Sequence, residues 1–278
     1  MNFLSLNGSI LPSTQPVLLR NNRSYRYGNG VFETIRIKNG QICLREYHFH
    51  RLFSSLQLLE FQIPPAIDAS YLEDEILRLC NTNKCISSAR VRLSFYNGNG
   101  NLSEDIEAGF LIEAWELIED EFGLDHSGIE IGIADGIVKH ADRYSHLKTS
   151  NFLAYSLAAR YAAKNKMDDC LLLNQYGRVA DSTIANIFII ADDNIITPSI
   201  SEGCIDGTMR RHILHELSIS GINVLEGTIS IAQLESAQEI FLTNAIRRII
   251  TVRKFMGTVY SHTKSREIYN RCVRTIEK

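Results

Sequence analysis

The sequence predicts an α/β (α+β) protein in two domains. Segments rich in β-branched and aromatic residues alternate with segments whose apolar residues recur at helical spacing. An acidic stretch with little strand signal separates the two halves of this pattern. With 278 residues, 45 % of them hydrophobic, the chain can bury a sizeable core. We predict a small α/β domain over residues 1–118, a linker over 119–128 and a larger domain over 129–278.

The first half is predicted to contain a hairpin, two helices and two further strands. The pair Asn39-Gly40 lies between two β-rich runs, and Asn-Gly is a strong hairpin signal. The apolar residues of the following segments are spaced for one helical face. The predicted strands are 31–37, 41–44, 89–96 and 109–117, and the predicted helices are 45–60 and 71–80.

The second half alternates strands and helices in the same way. A last long strand is interrupted by the polar pair Thr243-Asn244. Such a mixture of elements is typical of α/β and α+β proteins. The predicted strands are 129–133, 170–173, 185–190 and 239–252, and the predicted helices are 151–166, 208–220 and 263–276.

Composition argues against several classes of protein. A formal net charge of −3 gives no electrostatic footprint for nucleic acid or an anionic membrane. The apolar runs are too short to cross a bilayer, and residues 1–13 do not resemble a secretory signal. Six cysteines are scattered without a CxxC pair, which favours a reducing cytoplasm over a disulfide frame or a zinc site. We expect no metal, and no nucleic-acid or membrane partner.

The segment 146–151, which contains Lys148, directly precedes the apolar helix predicted over 152–163. A helix N-terminus carries partial positive charge, so it disfavours an ammonium group and lowers the pKa of a nearby lysine. A Schiff-base lysine needs a lowered pKa, because only the neutral amine attacks an aldehyde. Taken alone, Lys148 would be interpreted as a solvated loop residue. The choice between this interpretation and a Schiff-base lysine therefore depends on the other motifs.

Several further motifs follow each other in a definite order. With the segment around Lys148, they resemble the class-IV (fold type IV) aminotransferase family, which includes branched-chain and D-amino-acid aminotransferases and aminodeoxychorismate lyase. The resemblance covers nearly the whole chain and implies a D-amino-acid aminotransferase-like fold, a pyridoxal 5'-phosphate cofactor, a small-molecule amino substrate and a homodimer. The motifs are 27–34 (YGNGVFET), 50–52 (HRL), 179–188 (VADSTIANIF), 203–211 (GCIDGTMRR) and 241–245 (FLTNA).

The resemblance assigns the reactive groups. Lys148 aligns with the Schiff-base lysine, which in this family also moves the proton between the substrate carbon and the cofactor. Asp181 falls where the family usually has a glutamate facing the pyridine nitrogen, and a carboxylate there keeps the ring nitrogen protonated. Because aspartate is one methylene shorter, either the strand lies closer or a water bridges the gap. An aspartate that caps a turn is the alternative interpretation.

The resemblance also assigns the phosphate and substrate contacts. A predicted helix begins at Gly207, Thr208 and Met209, and the backbone N–H groups at such a helix start suit a phosphate. Arg51 matches the phosphate arginine, with a solvated helix arginine as the alternative. The larger domain is therefore expected to bind the cofactor. Asn244 and Ala245 match a turn that contacts phosphate and substrate carboxylate, although a β-bulge would look the same; Tyr27 is assigned to the substrate.

Four features bear on the subtype. Phe152 replaces the tyrosine of branched-chain aminotransferases, and Asn244-Ala245, Met209 and Thr34 are lyase-like. These features favour an aminodeoxychorismate lyase, which forms 4-aminobenzoate and pyruvate in the folate pathway, with Thr34 as a second catalytic residue. An amino-acid transaminase for branched-chain or D-amino acids and a catalytically silent ligand-binding relative are the alternatives. The family's substrate arginine is absent from residues 95–97, so the candidates for its role are Arg26, Arg247 and Arg248.

Overall fold

The structure is a computed structural model that describes residues 1–104, 107–118, 127–192, 194–274 and 276. The chain divides into two compact units. Unit 1 comprises Met1–Glu121 and Leu147–Asn151, and unit 2 comprises Phe122–His146 and Phe152–Lys278. Residues 119–126 of the predicted linker lie outside the described residues.

Unit 1 is built on an antiparallel sheet, in the order β2-β1-β6-β5-β3-β4 over its described residues. Two long helices pack their apolar residues against one face of this sheet and form a single core with it. The strands are β1 (Phe3–Leu6), β2 (Ser9–Pro12), β3 (Gly30–Lys38), β4 (Gln41–Ile42), β5 (Ser88–Asn97) and β6 (Ala108–Glu116), and the helices are α1 (Arg23–Tyr27), α2 (Arg45–Leu58) and α3 (Ala69–Thr82).

The predicted hairpin is present between β3 and β4. Asn39 and Gly40 both have positive φ, 49° and 75°, which a two-residue hairpin turn of this kind requires. Because side chains alternate along a strand, Val31, Ile35 and Ile37 enter the core. Phe32 and Thr34 therefore lie on the opposite face, which we call the polar face because it also carries Arg92 and Glu113.

A segment from much later in the chain is hydrogen-bonded to the edge of β3. We call residues Leu147–Asn151 the lysine segment. The Phe32 N–H donates to the Lys148 carbonyl at 3.0 Å, and the Ser150 N–H donates to the Gly30 carbonyl at 2.8 Å. A β-bridge between Val31 and Thr149 lies between these two bonds. The lysine segment thus extends the sheet of unit 1, although most of the chain around it belongs to unit 2.

Unit 2 has a larger mixed sheet, in the order β12-β11-β10-β13-β14-β7-β8-β9 with β15 beside β14, over its described residues. Its core lies between strands and helices of this unit alone. The strands are β7 (Ile129–Val138), β8 (Asp169–Leu173), β9 (Val179–Ser182), β10 (Asn186–Ala191), β11 (Asn194–Pro198), β12 (Val224–Gly227), β13 (Glu239–Asn244), β14 (Arg248–Phe255) and β15 (Thr258–Val259). The helices are α4 (Leu153–Lys164), α5 (Thr208–Ile219), α6 (Ile231–Ser236) and α7 (Thr263–Ile268), with a 3-10 turn at Ile200–Glu202.

The mixed α/β prediction is confirmed, and most predicted elements are present with shifted ends. The helix predicted over 263–276 is present as α7 and then, over Tyr269–Val273, as a π-helical turn. The Cys272 carbonyl in this turn lies 2.7 Å from His212 Nε2. The single interrupted strand predicted over 239–252 is wrong, because this segment forms two antiparallel strands, β13 and β14. Several short elements have no counterpart among the predicted ones, namely strands β1, β2, β9, β11, β12 and β15 and helices α1 and α6.

Gly30 should be intolerant of a side chain, because a Cβ there would lie 2.8 Å from Ser150 Oγ and 2.9 Å from the Phe95 carbonyl oxygen. We expect Gly30→Ala to destabilise the protein by about 1–3 kcal/mol in urea denaturation, as overpacking does. Gly227→Ala is the matched control, since a Cβ there meets no described atom within 4 Å. Equal stabilities of the two variants would contradict this account of the lysine segment.

Candidate functional site

The Lys148 amine lies against an aromatic ring of unit 1. Its Nζ is 4.4 Å from the centroid of Phe32, and the side chain is half-buried. The helix predicted from residue 151 begins at Leu153. Lys148 therefore precedes the first turn by several residues, and the helix-terminus argument for a lowered pKa loses most of its force. The hydrogen bonds of the lysine segment and the Phe32 ring position this amine instead.

A second cation contacts the same ring. The guanidinium carbon of Arg92 lies 3.7 Å from the Phe32 centroid, and Arg92 Nε donates to Ser94 Oγ at 3.2 Å. Arg92 is in register with Thr34 on β3 and with Glu113 on β6, so these side chains share the polar face of the sheet. The structure therefore brings Lys148, Arg92 and Thr34 to one face around Phe32.

Arg92 was not predicted from the sequence, because the family's substrate arginine is expected at the end of this strand and Arg92 lies near its middle. A signal was present in the alternation of β5. Arg92 lies between the buried Val91 and Leu93, so it had to project from the opposite face. Of the candidates named instead, Arg26 is exposed, and Arg248 is buried with a positive φ of 64° at the start of β14.

Arg51 belongs to a buried cluster in the core of unit 1. Its Nε donates to Glu33 Oε1 at 2.7 Å, and its Nη2 donates to Glu33 Oε2. His48 Nδ1 lies 2.6 Å from Glu33 Oε2. The interpretation of Arg51 as a solvated helix arginine is wrong, because only 7 % of its side chain is exposed. Sequence reasoning missed Glu33 and His48, whose side chains had no assigned role.

The protonation states in this cluster follow from its contacts. Burial alone would raise the pKa of Glu33, but the charge of Arg51 and the hydrogen bond from His48 outweigh it and lower the pKa from 4.5 to about 2. Burial lowers the pKa of His48, so its ring is neutral at pH 7. Since the Glu33 carboxylate can only accept, His48 donates through Nδ1–H.

Asp181, on β9, is one of the buried carboxylates of unit 2. Its Oδ2 accepts hydrogen bonds from the Tyr155 hydroxyl at 2.9 Å and from the Ile205 N–H at 3.0 Å. Burial and the nearby charge of Asp181 raise the pKa of Tyr155 well above its ordinary value, so the phenol stays protonated and donates. Asp181 also attracts the half-buried Lys139, whose pKa is lowered by burial.

The loop before α5 is held by Asn186, whose Nδ2 donates to the Ile205 carbonyl at 2.7 Å. Gly207 is the N-cap of α5, and a Cβ at this position would overlap Asn186 Oδ1. Among the described residues no side chain caps this helix start. The side chains of Thr208 and Met209, the first two residues of the helix, are buried.

The turn between β13 and β14 depends on Asn244. Its Oδ1 accepts hydrogen bonds from the N–H groups of Ile246 and Arg247, at 3.0 and 2.7 Å. This arrangement is an Asx turn, which gives the polar break in the sequence a structural role of its own. Asn244 and Ala245 are half-buried, whereas Tyr27, at the end of α1, is 43 % exposed.

These groups fit the chemistry of pyridoxal phosphate. The uncapped N-terminus of α5 offers N–H groups of the kind that bind phosphate, and its 12-residue length gives it a substantial dipole. The buried Asp181 carboxylate suits a protonated ring nitrogen, and Lys148 supplies an amine for the aldehyde. Lys148 belongs to unit 1, whereas Asp181 and α5 belong to unit 2.

Other classes of site lack support. Within the described ranges, no three histidine, cysteine or acidic side chains lie together as metal ligands would. The six cysteines are all free thiols. No described helix combines the length and the apolarity that a membrane crossing needs.

Comparison with known proteins relates the chain to one family. Residues 30–255 match the sequence profile of amino-transferase class IV. Aminodeoxychorismate lyase of Bacillus subtilis is 26 % identical over 267 residues, covering 92 % of this chain and 87 % of the relative. Branched-chain-amino-acid aminotransferase of Pseudomonas aeruginosa is 29 % identical over 245 residues, covering 83 % and 77 %.

A solved structure shares the fold. The branched-chain aminotransferase of the thermophilic archaeon Thermoproteus uzoniensis, determined with norvaline, superposes with a TM-score of 0.86 at 23 % identity. The match covers 99 % of this chain and 94 % of that one. At this identity the likeness concerns the fold, and it agrees with the fold type that the motifs implied.

The Glu33 cluster predicts a specific loss of stability in acid. Because the folded pKa of Glu33 lies below its ordinary value, its ionisation stabilises the fold above about pH 4.5, and this contribution is lost as the pH falls towards 2. Between about pH 6 and about pH 3, wild type should lose roughly 2 kcal/mol more unfolding free energy than Glu33→Gln. Urea titrations of both proteins at each pH measure the difference, and parallel pH profiles would contradict the proposed ionisation.

Proposed function

Because the chain belongs to the amino-transferase class IV family, we propose that it binds pyridoxal phosphate through Lys148 and converts an amino substrate that carries a carboxylate. The relatives it matches are enzymes, and dependence on pyridoxal phosphate is a property of the family. The observation that carries the proposal is the fixed amine. The lysine segment is hydrogen-bonded to β3, and Lys148 Nζ lies over Phe32.

Each residue has a role that its surroundings support. When bound, pyridoxal phosphate supplies an electron sink for the charge left on the substrate carbon. Lys148 attaches the cofactor and moves the proton at that carbon. The Asp181 carboxylate, held by Tyr155 and the Ile205 N–H, keeps the ring nitrogen protonated. Arg51 and the backbone of Gly207, Thr208 and Met209 bind phosphate, while Asn244, Ala245 and Tyr27 retain the roles that the resemblance assigned.

Arg92 is the group we assign to the substrate carboxylate. It lies against Phe32 on the face that carries Lys148 Nζ and Thr34, and a guanidinium binds a carboxylate through paired hydrogen bonds. An arginine and a lysine on one aromatic ring therefore suit a substrate that carries both an amine and a carboxylate.

Within the family we favour the lyase that splits aminodeoxychorismate into 4-aminobenzoate and pyruvate. Phe152 has no hydroxyl where branched-chain aminotransferases have a tyrosine, and its ring stacks on Tyr155 at 4.3 Å between centroids. The Tyr155 hydroxyl is bonded to Asp181, so it does not replace the missing group. Thr34, in register with Arg92, offers a hydroxyl on the substrate face. The lyase reaction is balanced without a second substrate, because the two products together contain all the atoms of aminodeoxychorismate.

An amino-acid transaminase is the second candidate. Branched-chain aminotransferases are among the relatives at 29 % identity, and Arg92 suits the carboxylate of any α-amino acid. A transaminase needs a keto-acid acceptor, whereas the lyase does not. Formation of pyruvate and 4-aminobenzoate from aminodeoxychorismate alone supports the lyase, and acceptor-dependent turnover of leucine or D-alanine supports the transaminase.

We also propose that the enzyme is a cytoplasmic homodimer. The six free thiols agree with a reducing compartment, and the dimer follows from the family resemblance. Light scattering of the purified protein, coupled to size-exclusion chromatography, tests the dimer directly.

Lys148→Ala should abolish the visible absorbance of bound cofactor and reduce turnover by ~10²-fold or more, because it removes both the attachment point and the proton-transfer group. Lys164→Ala is the matched control, since Lys164 is an exposed lysine at the end of α4. Absorbance spectra and steady-state rates of both variants measure the effect. Unchanged absorbance in Lys148→Ala would exclude Lys148 as the attachment point.

Arg92→Leu should raise the KM of the amino substrate by ~10- to 100-fold, because a charge-assisted hydrogen-bonding partner of the carboxylate is lost. Arg90→Leu is the control, since Arg90 lies two residues away on the same face of β5 and is exposed. Steady-state kinetics with the preferred substrate compare the two variants. Similar KM values would assign the carboxylate to another residue.

A further inference from the structure

Glu33 is an unusual residue for its position. It lies on the apolar face of β3 between Val31 and Ile35, and only 2 % of its side chain is exposed. A buried ion pair is a poor source of stability, because the loss of hydration offsets much of the attraction between the charges. An apolar side chain would pack well among such neighbours. A carboxylate here therefore points to a role other than filling the core.

The cluster fixes the orientation of one guanidinium. Two donors on the same edge of Arg51, Nε and Nη2, bond the two oxygens of Glu33. A planar group held by two parallel hydrogen bonds cannot rotate out of that plane without breaking them. Arg51 is also the most exposed member of the cluster, with 7 % of its side chain accessible against 2 % for Glu33 and 1 % for His48.

His48 orients the carboxylate in turn. Its Nδ1–H bonds the oxygen that also accepts from Arg51 Nη2, so Glu33 is held from two directions. Its Nε2 is buried and has no hydrogen-bond partner within the described part of the chain. The hydrogen bonding of this ring is thus directed at Glu33. Because the ring is neutral, it adds a hydrogen bond without adding charge.

We propose that Glu33 and His48 are positioning residues that hold the Arg51 guanidinium in the orientation required to bind the cofactor's phosphate. This inference rests on the proposed function, in which Arg51 binds that phosphate. It assigns the buried carboxylate and the buried histidine to phosphate recognition through Arg51. Neither side chain contacts the phosphate itself.

The test compares two ligands that differ only in the phosphate. Dissociation constants for pyridoxal phosphate and for pyridoxal are measured by absorbance on wild type, Glu33→Gln, His48→Leu and Arg51→Met. We expect each substitution to raise the dissociation constant of pyridoxal phosphate by roughly tenfold or more. The dissociation constant of pyridoxal should change by less than about twofold. A substitution that merely loosened the fold would weaken both ligands.

Two further variants make the test specific. His48→Asn keeps a donor near the position of Nδ1 and should restore much of the affinity that His48→Leu loses. Glu73→Gln is the matched control, because Glu73 pairs with Arg45 on the same helix as Arg51 but outside the cluster. Adding Glu33→Gln to Arg51→Met should cause no further loss of phosphate-dependent affinity, as expected for residues that act through one another.

The outcomes separate the two proposals. A wild-type protein that binds neither ligand contradicts the proposed function itself. Suppose that wild type binds pyridoxal phosphate more tightly than pyridoxal. If Glu33→Gln and His48→Leu bind the two ligands with the same ratio of affinities as wild type, the positioning role is wrong. If Glu33→Gln does not fold, the comparison of His48→Leu with His48→Asn decides, and equal affinities in that pair overturn the inference.

Discussion

Two backbone hydrogen bonds and one β-bridge attach the lysine segment to β3, and the position of the Lys148 amine depends on them. The bonds flank Val31, so the segment is fixed along its length and its side chains alternate as those of a strand do. This alternation determines which face of the sheet Lys148 can reach. Gly30 allows the approach, since any side chain there would meet Ser150 or the Phe95 carbonyl.

The two faces of β3 differ as a result. One face carries Phe32 and Thr34 with Arg92 of the neighbouring strand, and Lys148 Nζ lies over Phe32 on this face. The other face carries Glu33, which enters the core and holds Arg51 of α2. Consecutive residues of one strand therefore contact Lys148 on one face and Arg51 on the other.

Much of the fold was predictable, because periodic patterns and turn signals act locally. The hairpin at Asn39-Gly40 and helices α2 and α3 follow from such signals. The partners of Glu33 and the position of Arg92 were not predictable in the same way. They depend on strand register and helix packing, which bring together residues distant in the sequence. The pairing of Thr34 with Arg92, 58 positions apart, is fixed by the whole β3–β5 ladder.

In unit 2, too, the tertiary contacts of the polar groups could not be predicted from local sequence patterns. The family resemblance assigned Asp181 to the ring nitrogen, but nothing local indicated that Tyr155 and the Ile205 N–H would hold its carboxylate. Short strands such as β9 lack the length at which alternation becomes distinctive. Local patterns therefore predicted the elements, and tertiary contacts determined how the polar groups are paired.

The route of the backbone has a consequence for dissection of the protein. Residues 147–151 pair with the first unit, yet they follow the stretch that separates the two halves of the sequence. A fragment cut at that stretch would leave the edge of β3 without its partner strand, and an unpaired edge of this kind promotes association between molecules. The Lys148 amine would remain on the other fragment. A cut at that stretch therefore separates β3 from the segment that pairs with it.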